Sequence, residues 1–309
     1  MKILEEIIKR GFKGRVVENY PLSELTTYKT GGPAEILVEP SLVEDISIIL
    51  NIVKEREIPL YIIGGGSKIL APDEGVRGIV MLIGDLMSGI EIVGQEVNVL
   101  AGTTDSEVAR KCVEKGLSGL EWIADLPGRI GGSIVQNAGM NERTISDKLI
   151  SVKYFRSDGI LRETPRQQLD FGYRSSSFKR WGDSIIVSAK FMLDYGDPQF
   201  LKMKMEEIID SRHKKFPVNY PSCGSVFKRP QGHYPGKLIE ECFPNGMKIG
   251  GAMISPLHHN FIVNTGNAKS SDIRELIDKI VEKVYEKTSI ILERELIYME
   301  ETRFLKKSD

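Results

Sequence analysis

The sequence predicts an α+β fold in which part of the strand pairing is parallel. Three observations carry that prediction. Strand-like apolar runs are interspersed with a few strongly periodic helices. One early stretch reads strand, helix, strand and runs straight into Gly64-Gly65-Gly66, as a parallel connection does. Two later stretches, turning at Gly94-Gln95 and Ser157-Asp158-Gly159, read as antiparallel hairpins. A chain of 309 residues is long enough for two or three modules with cores of their own.

The first module is placed at residues 1–77. Residues 1–12 have the spacing of a short amphipathic helix, and Ala34–Glu39 reads as a strand stopped by Pro40. Leu42–Lys54 follows with helical spacing at Leu42, Ile46, Ile49, Leu50 and Val53. Leu60–Ile63 is the strand expected to pair in parallel with Ala34–Glu39. The second module spans 78–195: a strand at Ile79–Ile83, then the Ile90–Leu100 hairpin. Thr104-Asp105-Ser106-Glu107 is a capping box that opens a helix ended by Gly116. Ile150–Arg156 and Ile160–Glu163 make the second hairpin, and Ile185–Leu193 closes the module. The third module, 196–309, starts on the helix N-cap pair Asp197-Pro198, with a helix expected to about His213. Ser271 opens the most regular helix, with Ile273, Leu276, Ile277, Ile280, Val281, Val284 and Tyr285 on one stripe. A strand over Ser289–Tyr298 is expected to follow.

Composition narrows the function. A net charge of −1 gives no global attraction to nucleic acid or an anionic membrane. The opening MKILEEIIKRGF mixes acidic and basic residues, so no signal peptide is expected. No run approaches the roughly 20 apolar residues of a membrane-spanning helix, so no membrane insertion is expected. The cysteines, Cys112, Cys223 and Cys242, are few and dispersed, which fits a reducing cytoplasm. The four histidines lack metal-ligand spacing, and no metal is expected. A monomer is the expected state.

Four segments carry candidate chemistry. Leu126–Met140 holds four glycines, and Arg129 is its sole charge. It is either a backbone cradle for a phosphorylated cofactor or a glycine-rich turn packed under a helix. With Gly64-Gly65-Gly66-Ser67 and the Thr27–Pro33 loop it makes three glycine loops in the first 140 residues, a set suited to a ligand with two phosphates. Gly64-Gly65-Gly66-Ser67 fits neither the P-loop nor the dinucleotide fingerprint. Between Ser211 and Ile239 lie Arg212, Lys214, Lys215, Lys228, Arg229 and Lys237 with no acidic residue. That stretch is an anion site or a solvated basic face; it contains Ser225 in a tight turn. Tyr173-Arg174-Ser175-Ser176-Ser177-Phe178-Lys179 is a carboxylate clamp or a polar loop with a structural ion pair. Glu293 and Glu295, placed on one strand face with Ile291 and Ile297, are exposed unless Glu295 points into a site.

Taken in order, these segments resemble the UDP-N-acetylenolpyruvoylglucosamine reductase family, flavoenzymes of bacterial cell-wall precursor synthesis, over nearly the whole chain. The resemblance runs through Thr27–Ala34, Gly64–Ser67, Gly116–Glu121, Pro127–Ser133, Asn137–Gly139, Tyr173–Lys179, Cys223–Lys228, Gly236–Glu240 and Asn260–Asn264. It implies FAD, bound without a covalent link, in a two-part fold of the vanillyl-alcohol-oxidase type, followed by a C-terminal substrate module. NADPH would supply hydride, and the enolpyruvyl group of a UDP-sugar would accept it. The implied catalytic residues are Ser225 as proton donor, with Arg174 and Glu295 polarising the substrate carboxylate. FAD contacts are implied at Tyr28, Gly64, Gly65, Gly66, Ser67, Pro127, Gly128, Gly131, Gly132, Ser133, Asn137 and Gly139. Substrate contacts are implied at Tyr173, Lys215 (or Lys214), Lys228 and Asn260.

The residue types suit such a reaction. Hydride added to the β-carbon of an enolpyruvyl group leaves an enolate-like charge that a guanidinium at Arg174 would stabilise. A protonated Glu295 would add a hydrogen bond, given enough burial to raise its pKa. The basic carbanion carbon can take a proton from an acid as weak as the Ser225 hydroxyl. The chain departs from the family pattern at Lys68, where asparagine is common, at Asp125, at Met140-Asn141-Glu142 and at His259. It lacks room between Arg174 and Ser225 for the tyrosine-bearing loop of one family branch and resembles the shorter branch. Two other readings remain: an alcohol or sugar oxidase of the same flavin fold, and a non-catalytic nucleotide-binding protein. No histidine precedes His213 to tether FAD as such oxidases often do.

Overall fold

The computed structural model describes residues 3–304. Its first sheet runs in the order Arg15–Pro21, Pro33–Glu39, Val76–Leu82, Leu60–Ile63, Arg303–Phe304. The expected parallel strands Pro33–Glu39 and Leu60–Ile63 are both present but are not neighbours. Val76–Leu82 lies between them, parallel to both, with Val80 opposite Leu37 on one side and Tyr61 on the other. The reason is in its composition. Ile79, Val80 and Met81 are all fully buried, and a central parallel strand is the position that covers both faces. The helix Val43–Arg56 packs Ile46, Ile49, Ile52 and Val53 against one face. The module boundary placed at residue 77 therefore falls inside a strand of the first sheet and moves beyond Leu82. The N-terminal helix is Ile3–Lys9; residues 1 and 2 of the expected helix lie outside the described residues, as do 305–309 of the third module.

The second sheet is antiparallel throughout, in the order Leu161–Pro165, Leu149–Arg156, Ser184–Met192, Glu96–Leu100, Ile90–Val93. Both expected hairpins are in it. Helix Asp105–Glu114 starts where the capping signal placed it, with the Thr104 hydroxyl accepting from the Glu107 N–H at 3.2 Å. The Glu107 carboxylate turns to Lys111 instead, so half of the box forms. Helix Pro198–Lys215 is capped by Asp197 as expected. It does not begin the third module, however. Leu201 and Met205 enter the core of the first two, Lys204 pairs with Glu121 at 2.5 Å, and Arg212 with Asp125 at 3.1 Å. The boundary placed at 195/196 thus moves to about Phe216.

The C-terminal unit is a small antiparallel sheet, Lys248–Ile249, Ala252–Ile254 and Ile262–Asn264, covered by helix Ser270–Thr288. Ile273, Leu276, Ile277, Ile280 and Val284 are buried there, while Tyr285 at the end of the stripe is exposed. The expected strand Ser289–Tyr298 shrinks to Ile297–Tyr298, paired with Ile69–Leu70. Ser289 sits at φ +59°, which ends the helix and prevents direct entry into a strand. Residues 293–296 instead lie against the Ser225 segment: the Lys228 N–H donates to the Glu293 carbonyl at 2.8 Å and the Glu295 N–H to the Val226 carbonyl at 2.8 Å. The alternation that grouped Glu295 with Ile291 is broken, so Glu295 is buried and Ile291 exposed. Among the described residues no helix is long and apolar enough to cross a membrane.

Candidate active site

One large cleft, about 2340 Å³, opens where the three units meet. A site for one drug-sized ligand occupies roughly 300–1,000 Å³, so this cleft has room for two extended ligands. Its first wall is glycine. The Gly64–Ser67 loop leaves strand Leu60–Ile63 and touches the Pro127–Gly128 turn. Packing dictates Gly66, which has φ +61° and would set a Cβ 1.9 Å from the Leu25 carbonyl. Gly128 is backed by the Asp105 carboxylate, 2.3 Å from where its Cβ would stand.

Gly132 is different. It lines the cleft, and a Cβ there meets nothing within 4 Å. Gly64 is nearly as bare, with Arg129 Cβ at 3.8 Å. Protein packing does not require glycine at these two positions; side chains there would fill the cleft. The N–H groups of Gly65, Gly66 and Ser67 donate to no protein group among the described residues. Consecutive unpaired amides beside a bare wall make a cradle for an anion such as a pyrophosphate. The Thr27–Pro33 loop contributes less than expected. Thr27 and Lys29 line the cleft, but Gly31 and Gly32 are pressed against Ala71 and Asp73 and serve packing.

The same cleft also gathers charge. Arg174 adopts φ +51°, a left-handed conformation uncommon for a residue with a side chain. Its Nε lies 3.1 Å from Glu295 Oε1. Lys68 Nζ reaches the same oxygen at 2.9 Å and donates to the Ser225 carbonyl at 2.8 Å. Burial alone would raise the Glu295 pKa, but the charges of Lys68 and Arg174 outweigh it and hold the carboxyl below the ordinary value. That direction favours the carboxylate over the protonated acid that the sequence suggests. Ser225 lines the cleft after a left-handed Gly224, and its hydroxyl has no protein partner among the described residues. Lys179 donates to the Arg174 carbonyl at 3.2 Å and to Gln136 at 2.7 Å, fixing the strained turn; burial lowers its pKa.

Comparison with known proteins agrees with this layout. Residues 34–165 match the family model of an FAD binding domain, and residues 216–299 match that of the UDP-N-acetylenolpyruvoylglucosamine reductase C-terminal domain. The second match begins where helix Pro198–Lys215 ends. The reductase of Carboxydothermus hydrogenoformans is 40% identical over 294 residues, covering 94% of this chain and 96% of its own. That of Pediococcus pentosaceus is 38% identical, covering 91% and 93%. The crystal structure of the Thermus caldophilus reductase superposes with a TM-score of 0.78 at 31% identity, covering 93% of this chain and 98% of that one.

The chain belongs to the UDP-N-acetylenolpyruvoylglucosamine reductase family.

For a member of this reductase family, several implied contacts are relocated by the structure. Tyr28 is fully buried in the C-terminal core, its hydroxyl beside the Cys223 sulfur at 3.4 Å, so its side chain is not on the cleft wall. Asn137 closes the short helix Ile130–Gln136 at φ +44° and donates to the Gly172 carbonyl, behind the wall. Asn260 is buried with both ends of its amide on the Phe227 backbone, at 3.0 and 2.9 Å; it holds the Ser225 strand and does not face the cleft. Tyr173 is exposed outside the cleft, under the Arg174 guanidinium, and its hydroxyl accepts from the Arg229 N–H. Pro127, Gly131, Ser133, Gly139, Lys215 and Lys228 do line the cleft.

The basic 211–239 stretch is partly neutralised from elsewhere, Arg212 by Asp125 and Lys228 by Glu293. Two residues of the site escaped sequence reasoning about chemistry. Lys68 was visible as a departure from the family pattern, but its partners are 157 and 227 positions away. In the sequence Asp105 stands only within the Thr104–Glu107 capping signal. It is fully buried behind Gly128 and takes a 2.6 Å bond from the Ser133 hydroxyl; burial pushes its pKa up to about 7.

Proposed function

We propose that this chain reduces the enolpyruvyl group of UDP-N-acetylglucosamine enolpyruvate to give UDP-N-acetylmuramate, using FAD and NADPH. The observation that carries this reading is the convergence of Arg174, Glu295 and Ser225 in the same cleft as the bare glycine cradle, a cleft large enough for two ligands. When bound, FAD would relay hydride from NADPH to the β-carbon of the enolpyruvyl group. Gly64–Ser67 and Pro127–Ser133 would hold its pyrophosphate through backbone N–H groups.

The rest falls to side chains. Arg174, aimed by its left-handed turn and by Lys179, would grip the substrate carboxylate and stabilise the negative charge that develops there. Glu295, its pKa lowered beside Lys68 and Arg174, would hold the Arg174 guanidinium in place and leave proton donation to another group. Ser225, with an unengaged hydroxyl, would deliver the proton to the α-carbon. Lys215 and Lys228 at the cleft edge would meet the UDP pyrophosphate. The product feeds peptidoglycan precursor synthesis, and through it cell shape and division. A cytoplasmic monomer suits a soluble nucleotide-sugar substrate.

The test is anaerobic. Purified protein should be yellow and bleach on addition of NADPH. Adding the enolpyruvyl substrate should restore the flavin absorbance. A reduced flavin that the substrate leaves reduced overturns the proposal.

A further inference from the structure

Lys68 follows the Gly64–Ser67 loop, and its side chain joins the cluster of Arg174, Glu295 and Ser225. It pairs with Glu295 Oε1 at 2.9 Å and ties down the Ser225 carbonyl at 2.8 Å. Arg174 Nε meets the same Glu295 oxygen at 3.1 Å, and Glu295 is 5% exposed. The trio Lys68, Arg174 and Glu295 thus carries one net positive charge, which matches the single negative charge of an incoming carboxylate. Without Lys68 an ionised Glu295 would cancel Arg174, leaving Lys179, a cation whose charge burial disfavours, as the remaining positive group near an incoming carboxylate. A proton on Glu295 would then restore the balance at Arg174. Two further ionisable groups interact with both Glu295 and Lys68: Lys179, a half-buried ammonium whose pKa burial lowers, and Cys223, a fully buried thiol that burial keeps protonated. Lys228, which acts on Lys179, is paired with Glu293.

We propose that Lys68 is a positioning residue for the substrate half-reaction: it supplies the charge that lets Glu295 stay an anion while a carboxylate binds at Arg174, and it links the Ser225 backbone to the cofactor loop. The inference rests on the reading of the reaction given above. It makes a specific claim about pH. In the native enzyme, flavin reoxidation by substrate does not require a proton on Glu295. In an enzyme lacking the Lys68 charge it does.

The experiment compares holoenzymes carrying Lys68, Lys68→Met, Lys68→Gln and Lys68→Arg. Each is reduced with NADPH, and its reoxidation by the enolpyruvyl substrate is followed from pH 6 to 9. Lys68→Gln keeps a hydrogen-bond donor without the charge, so it replaces Lys68→Met if that variant fails to retain FAD. The native enzyme and Lys68→Arg should give flat profiles over the range where Glu295 is ionised. Lys68→Met and Lys68→Gln should show a new alkaline limb, falling about tenfold per pH unit as one required proton is lost. Reduction by NADPH should be little changed in all four. A uniform loss at every pH in the uncharged variants, or the same limb in Lys68→Arg, overturns the role of Lys68. Failure of the native reduced enzyme to react with the substrate at any pH instead overturns the reading of the reaction.

Discussion

Ser225 follows a left-handed glycine and is held from two sides: Lys68 on its carbonyl and Asn260 on the Val226–Phe227 backbone. Removing the hydroxyl should therefore leave the backbone in place. Ser225→Ala is expected to keep flavin reduction by NADPH nearly intact and to slow reoxidation by about 10²–10⁴-fold, the usual contribution of a positioned proton donor. Equal losses in both half-reactions, measured by stopped flow, would count against the assignment. Arg174→Lys should lose about 10²-fold in the same half-reaction, because an ammonium cannot reproduce the planar fork; near-normal turnover would make Arg174 structural.

Asp105 belongs to this scale through stability. Its folded-state pKa is raised from 3.8 to about 7, so the native state binds this proton more tightly than the unfolded chain. Stability from this group is intact below the unfolded value and is lost as pH rises toward 7, levelling off above it. Asp105→Asn keeps an acceptor for Ser133 and cannot ionise. Urea unfolding should show the variant gaining on the native protein between about pH 4 and 7, by a few kcal/mol at most. Parallel curves would place the proton elsewhere.

At the scale of elements, two glycines of the cradle make opposite predictions. Gly66→Ala forces a side chain into a left-handed turn 1.9 Å from a carbonyl and should destabilise the apoprotein by more than about 1 kcal/mol. Gly132 lies inside helix Ile130–Gln136 with open space beside it. Gly132→Ala should stabilise the apoprotein by about 0.5–1 kcal/mol, as helix propensity dictates, yet weaken FAD binding. Thermal unfolding of the apoprotein and a flavin titration separate the two effects; unchanged FAD affinity would remove Gly132 from the cradle. The capped and strongly periodic helices were readable because their signals are local: Thr104 and Asp197 cap where the sequence placed them, and Ile273, Leu276, Ile277, Ile280 and Val284 are buried. The short helices Ile130–Gln136, Ser177–Trp181 and Pro235–Cys242 were not expected, being too short to show a period. The segment 289–296 was not readable, since its apolar alternation resembles a strand while its partners lie in the Ser225 turn.

For the whole molecule, the cleft is walled by all three units, so a ligand that fills it couples them. FAD should raise apparent stability by mass action, about 2.7 kcal/mol at a free concentration one hundred times its Kd. Thermal unfolding with and without FAD tests this, and a colourless protein with no shift would refute a cofactor site. The sequence by itself determined the α+β class, the capped and periodic helices, both hairpins and the reductase family, and it singled out Ser225, Arg174 and Glu295 as candidates. It did so because caps, periodicity and motif order are written in neighbouring residues. Tertiary structure alone decided that Val76–Leu82 divides the two parallel strands, that helix Pro198–Lys215 joins the second unit, and that Tyr28 and Asn260 are buried supports. It alone placed Lys68 on Glu295 and so lowered that carboxyl's pKa despite its burial. Each of these depends on which distant surfaces pack together and which charges they bury side by side, and no local pattern encodes that.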